Sequence, residues 1–100
     1  MQVRFLQPAQ YELDEAIHYY NAQVSNLGQR FLLEILASLD RVCQHSDAWH
    51  PMSKNTRRCQ LKRFPYGVIY ARENEMIVVI AIGHLHRSPE YWQHLKTRIK

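Results

Sequence analysis

The stretch Arg57–Trp92, RRCQLKRFPYGVIYARENEMIVVIAIGHLHRSPEYW, decides the fold. It holds three short runs of strand-forming residues, about Arg58–Phe64, Gly67–Arg72 and Met76–His84. Turn residues separate them at Pro65-Tyr66 and Glu73-Asn74-Glu75. Runs so close in sequence are expected to pair as an antiparallel meander. Met76–Gly83 is apolar on both faces, the pattern of a central strand covered on each side. Ser88-Pro89-Glu90 then sets a capping hydroxyl, a first-turn proline and an acid in the order that starts a helix. A short C-terminal helix carrying Tyr91–Arg98 is predicted.

Working outward toward the N-terminus, Ser46–Thr56 reads as a polar loop. Before it, Phe31, Leu32, Ile35, Leu36, Leu39, Val42 and Cys43 fall on one stripe of a helix over about Gln29–His45. Leu13, Ala16, Ile17, Tyr20 and Val24 do the same over about Pro8–Val24, with Glu12, Asp14 and Glu15 near that helix's positive end. The break at Ser25–Gly28 is so short that the two helices must form an antiparallel hairpin. Gln2–Leu6 reads as a strand. The expectation is one α+β domain over residues 1–100: N-terminal strand, antiparallel helix hairpin, three-stranded antiparallel meander, short C-terminal helix.

Composition narrows the classes. One hundred residues, 46% of them hydrophobic, with three Gly and four Pro, make one globular core rather than a disordered chain. The longest apolar run, Met76–Gly83, is too short to span a bilayer, and the chain does not begin with a basic segment followed by an apolar one. A cytoplasmic protein with no membrane partner is expected. Cys43 and Cys59 are too few and too far apart for a disulfide framework or a zinc site, so both are read as reduced, packed thiols. Charge is more informative. Residues 1–53 hold three Lys/Arg against six Asp/Glu, whereas residues 54–100 hold ten against three, so a front half at −3 meets a back half at +7. A basic half of that size is suited to an acidic or polyanionic partner.

Strand alternation puts Arg58, Gln60 and Lys62 on one face and Cys59, Leu61 and Arg63 on the other. With the first set facing away from the helices, Gly67, Ile69, Ala71, Ile77, Val79, Ala81 and Gly83 form a floor of mostly small apolar residues beside a basic rim. Such a groove is covered either by the C-terminal helix or by a partner segment. His84 and His86 lack a third ligand at metal spacing, so no metal is assigned. Arg87, at a strand exit beside the rim, is placed to grip a phosphate or carboxylate. Tyr91 and Trp92 are read as anchors of the last helix, Tyr66 as a turn platform, and Asp14, Glu15, Tyr19 and Tyr20 as an ordinary helix face.

The order of elements, with LGQRFL opening the second helix, the run Lys62–Tyr70 (KRFPYGVIY) and the pattern His-x-x-Arg-x-Pro-x-x-Trp over His84–Trp92, resembles the RelE/ParE superfamily of toxins from bacterial toxin-antitoxin pairs. The resemblance covers nearly the whole chain. It implies a cytoplasmic toxin restrained by a cognate acidic antitoxin and acting either on DNA gyrase or on ribosome-bound mRNA, without a cofactor. A RelE-like nuclease uses Lys and Arg on the sheet plus a C-terminal Tyr, because 2′-hydroxyl attack on phosphate needs a proton acceptor, a charge stabiliser and a leaving-group donor. Arg58 and Tyr91 stand where two of these would lie, but Gln60, Gly67 and Leu85 replace cations. The ParE-like branch, which inhibits gyrase by binding, therefore fits better. If the chain is a nuclease, the candidates are Arg58, Lys62, His84, Arg87 and Tyr91. If it is a binder, the partner surface comprises Arg58, Lys62, Gly67, Ile69, Ala71, Val79, Ala81, Gly83 and Arg87. A third expectation is a degenerate toxin that only binds its antitoxin.

Overall fold

The computed structural model describes residues 1–98. Strand β1 (Gln2–Phe5) leads into the helix hairpin α1 (Gln7–Gln23) and α2 (Leu27–Gln44). A two-residue strand β2 (His50–Pro51) follows, then β3 (Arg57–Gln60), β4 (Tyr66–Glu73) and β5 (Met76–His84). Helix α3 (Pro89–His94) runs on into a 3₁₀ turn, Leu95–Arg98. The expected α+β architecture is present, and the sheet is larger than the meander. It is five-stranded in the order β1-β5-β4-β3-β2, with β1 parallel to β5 and the other pairs antiparallel. Met76–His84 lies between β1 and β4 as an interior strand, which is why it is apolar on both faces. Inside the expected loop, His50 and Pro51 pair with Arg58 and Arg57 and close the far edge, where a proline is tolerated.

The hairpin packs on one sheet face. Ala9, Leu13 and Ala16 of α1 and Phe31, Ile35, Leu39 and Val42 of α2 meet Cys59, Leu61, Val68, Tyr70, Ile77, Val79 and Ile82 in one buried cluster. The helices approach closely because Gly28 has no side chain: a Cβ there would collide with the Ile17 carbonyl oxygen and lie 2.7 Å from Asn21 Cγ. Asn26, in the left-handed region at φ 68°, makes the turn, and the Asn21 side chain accepts a 2.8 Å hydrogen bond from Gly28 N.

The opposite face carries a second, smaller cluster of Ile69, Ala71, Ile80, Ala81 and Leu95, flanked by Leu6, Tyr91 and Trp92. The structure departs from the sequence expectations at two strands. The strand expected over Arg58–Phe64 ends at Gln60, because the Glu34 carboxylate on α2 accepts hydrogen bonds from the backbone N–H groups of Lys62 and Arg63 and draws that loop toward the hairpin. The alternation expected along Met76–His84 also breaks. Ile69 pairs with Ala81 but Tyr70 with Val79, so Ile80 is an extra, bulged residue. Ile77 and Val79 consequently join the hairpin core, and Val79 is not part of the groove floor.

Candidate functional site

The corrected floor, Gly67, Ile69, Ala71, Ala81 and Gly83, is closed by the chain's own C-terminal segment. A Cβ on Gly83 would lie 3.0 Å from Tyr91 Oη and 3.3 Å from Trp92 Cη2, so glycine lets these rings come down closely on the strand where a side chain would make them shift. Gly67, which pairs with Gly83, makes the same allowance for a cation: Arg58 Cγ and Cδ would be 2.8 and 2.9 Å from a Cβ at that position. Arg58 therefore lies flat over β4, half-buried, with its Nε enclosed and without a hydrogen-bond partner among the described residues. Across this face Arg58 covers Gly67, the Tyr91 and Trp92 rings cover Gly83, and the Arg87 guanidinium stands 4.3 Å from the centre of the Tyr91 ring, a cation–π contact. Arg58, Gly67, Ile69, Ala71, Ala81, Gly83, Arg87 and Tyr91 are thus one surface. Lys62 is not on it. Its loop carries it, exposed, to an apolar cleft of about 690 Å³ between the hairpin and Phe64–Pro65.

His84 faces the hairpin side, paired with Tyr66 at a ring separation of 5.1 Å. Its Nδ1 accepts a 3.1 Å bond from His86 N, and it opens onto a cleft of about 300 Å³ with Tyr11, Glu12, Tyr19 and Arg87. Burial first, then the neighbouring His86 and Arg87 charges, hold its pKa below the ordinary 6.5. Among the described residues, no three His, Cys, Asp or Glu side chains converge on a point where a metal would sit.

The most densely bonded residue near this surface is Glu12, which the sequence placed only at a helix end. Beyond Val79, β1 has left the sheet, so among the described residues that edge of β5 has no neighbouring strand. Side chains take its place. Glu12 Oε1 accepts from Ile82 N at 3.1 Å, and Arg98 Nη1 donates to Ile80 O at 3.1 Å. Arg98 also grips both carboxylate oxygens, at 2.9 and 3.0 Å, and Tyr91 Oη donates to Glu12 Oε2 at 2.7 Å. Both charged side chains are mostly buried, at 12% and 13% exposure. The bond to Glu12 raises the pKa of Arg98, and burial, then the bond to and charge of Glu12, push that of Tyr91 well above the usual phenol value. Tyr91 therefore stays a phenol whose proton is already committed. One signal could have exposed Glu12: it is an acid on the stripe of Ala9, Leu13 and Ala16, where a charge has no place without a partner.

A basic, partly enclosed surface on a small mixed sheet, backed by a helix hairpin and closed by a C-terminal helix, is the architecture of the RelE/ParE toxins. The family described as "ParE toxin of type II toxin-antitoxin system, parDE" matches residues 3–89, and the chain belongs to it. Family membership makes it the toxin of a ParDE type II system and implies a cognate antitoxin as partner. Among solved structures it is similar to a chain of the chromosomal ParDE TA system from P. aeruginosa, at 15% identity and TM-score 0.73 over 84% of this chain and 95% of that one. It is also similar to the isolated E. coli RelE toxin, at 18% identity and TM-score 0.64 over 96% of each chain. No curated protein matches at a significant level. Among the described residues no helix is long and apolar enough to cross a membrane.

Proposed function

We propose that this toxin arrests growth by binding DNA gyrase through the surface that runs from Arg58 to Arg87, rather than by cutting RNA. One observation carries the reading. The positions that would stabilise charge in RNA cleavage hold Gln60, Gly67 and Leu85, and the one tyrosine at the site donates its proton to Glu12. Removing a single charge-stabilising donor from an active site typically costs about 3 kcal/mol, so the loss of even two of these three donors puts cleavage about ten-thousand-fold below an intact site. The antitoxin lies along the rim of the same face, where its acidic groups pair with Arg58 and Arg87.

A second reading, ribosome-dependent mRNA cleavage, draws on His84, whose lowered pKa keeps it neutral beside Arg87 in the same cleft. The purified toxin separates the two in paired assays of gyrase supercoiling and of mRNA on translating ribosomes. Supercoiling is expected to be inhibited, less so by Arg58→Ala and Arg87→Ala, with the mRNA left intact. Cleavage abolished by His84→Ala or Tyr91→Phe, with supercoiling untouched, would replace the gyrase reading with the nuclease one.

A further inference from the structure

We infer that Glu12 is the positioning residue of the toxin's working surface: through the Tyr91 phenol it fixes the ring on which Arg87 is seated. This rests on the reading of Arg87 as a contact residue, but not on which target it contacts.

The chain of contacts is short and each link is polar or cationic. Glu12 Oε2 holds Tyr91 Oη at 2.7 Å, and the Tyr91 ring holds the Arg87 guanidinium at 4.3 Å. Glu12 is itself held. Its carboxylate is gripped by both Arg98 nitrogens and by Ile82 N, so neither oxygen is free to turn away. An α1 carboxylate thereby sets the direction of an arginine 75 residues later in the sequence. Arg87 needs this support. It follows β5 in a short turn in which Arg87 N donates to His84 O at 3.1 Å and His86 N to His84 Nδ1 at 3.1 Å, and a long cationic side chain there has wide rotamer freedom unless a neighbour removes it. The Tyr91 ring is a suitable neighbour because the phenol end is anchored while the ring face stays available to the cation. Trp92 Nε1 donates to Arg87 O at 3.2 Å and fixes the backbone of the same residue from the next position along α3.

Glu12 has two separable effects. Glu12 stabilises the fold by completing the edge of β5, and it orders Arg87 by way of Tyr91. Only the second effect passes through Arg87. Growth arrest by induced toxin is the readout, since it does not depend on the target, together with the NMR resonance of the Arg87 Nε–H group, which feels the Tyr91 ring. Three changes bear on the link: Glu12→Ala, Glu12→Gln, which keeps an acceptor oxygen for the phenol, and Tyr91→Phe, which leaves the Glu12–Arg98 pair intact. In Glu12→Ala and Tyr91→Phe the Arg87 resonance is expected to move toward that of an unstacked arginine. The toxin dose that halves growth should rise on the order of tenfold, with Glu12→Gln between these and the parent. In an Arg87→Ala background Glu12→Ala should have no further effect on growth arrest, while its loss of thermal stability persists. An unmoved Arg87 resonance, or a loss of arrest that persists undiminished in the Arg87→Ala background, overturns the inference. Failure of the gyrase reading shows itself separately, as uninhibited supercoiling by a toxin that still arrests growth.

Discussion

Arg58 owes its place to the absence of a side chain on Gly67. The strand position is extended and would accept any residue, but the guanidinium stem occupies the space a Cβ needs. Gly67→Ala should therefore lift Arg58 from the sheet and destabilise the fold by about 1–2 kcal/mol, the usual range for mild overpacking. In an Arg58→Ala background the same change should be close to neutral, because the clash is gone and alanine suits a strand better than glycine. Chemical denaturation of the four proteins of this cycle measures the coupling. Simple additivity would mean that Arg58 does not lie over Gly67 in solution. Gly83 makes the same allowance on the paired position for Tyr91 and Trp92, so two glycines facing each other determine what the surface holds.

Among the elements, the C-terminal segment depends on its side-chain contacts rather than on its own helix. Its capping is local: Ser88 Oγ accepts from Tyr91 N at 3.4 Å, and Pro89 begins the helix. Six residues of helix have little stability of their own, so packing must hold them. Leu95, 6% exposed against Ile69, Ala71, Ile80 and Ala81, is the most deeply buried of its apolar side chains. Leu95→Ala should cost about 2–3 kcal/mol, less than the largest core truncations because the site lies at an edge and can relax. Amide exchange is expected to quicken in residues 89–98 and at Ile80 and Ala81 while the α1–α2 hairpin keeps its protection. Equal loss of protection in the hairpin would show that the segment is integral to the main core. The hairpin is the sturdier element, with Phe31, Ile35 and Val42 fully buried and an aromatic group of Tyr20, Phe31, Phe64 and Tyr66 tying it to the sheet's end.

At the scale of the whole molecule, stability should fall on mild acidification, and His84 is one cause. Its folded pKa lies below 6.5, so the unfolded chain binds more protons than the native one as pH falls through the ordinary histidine range. That contribution is fully present above 6.5 and is lost as pH drops through 6.5 toward the depressed folded value. Protonation of Nδ1 also ends its acceptance of the His86 N–H. Thermal melts between pH 7.5 and 5 are expected to show a smaller drop in Tm for His84→Gln than for the parent. All other groups are common to both proteins, so the difference between them is the measure. An equal or larger drop in the variant would place the acid sensitivity elsewhere. Tyr70 acts at the opposite end of the range: burial pushes its pKa up to about 12, and its hydroxyl ties β4 to Ser46 O at 2.6 Å at any physiological pH.

The sequence alone determined the order of elements, the antiparallel hairpin and the central strand, because helix stripes, turn residues and a doubly apolar run are local patterns. It also located Arg58, Arg87 and Tyr91 as candidates, since these lie in or beside the strand runs that carry the superfamily resemblance. Its errors have one physical origin. Strand alternation predicts faces only while the register is regular, so the extra residue Ile80 moved Val79 into the core without any mark in the sequence. Lys62 left the surface because Glu34, 28 residues earlier, captured its loop. Tertiary structure alone decided which of two coverings closed the groove, and it alone gave Glu12 its role. The acid's position on an apolar stripe was legible, but its partners Ile82, Tyr91 and Arg98 are 70 to 86 residues away. A one-dimensional pattern does not record which open strand edge a carboxylate will meet.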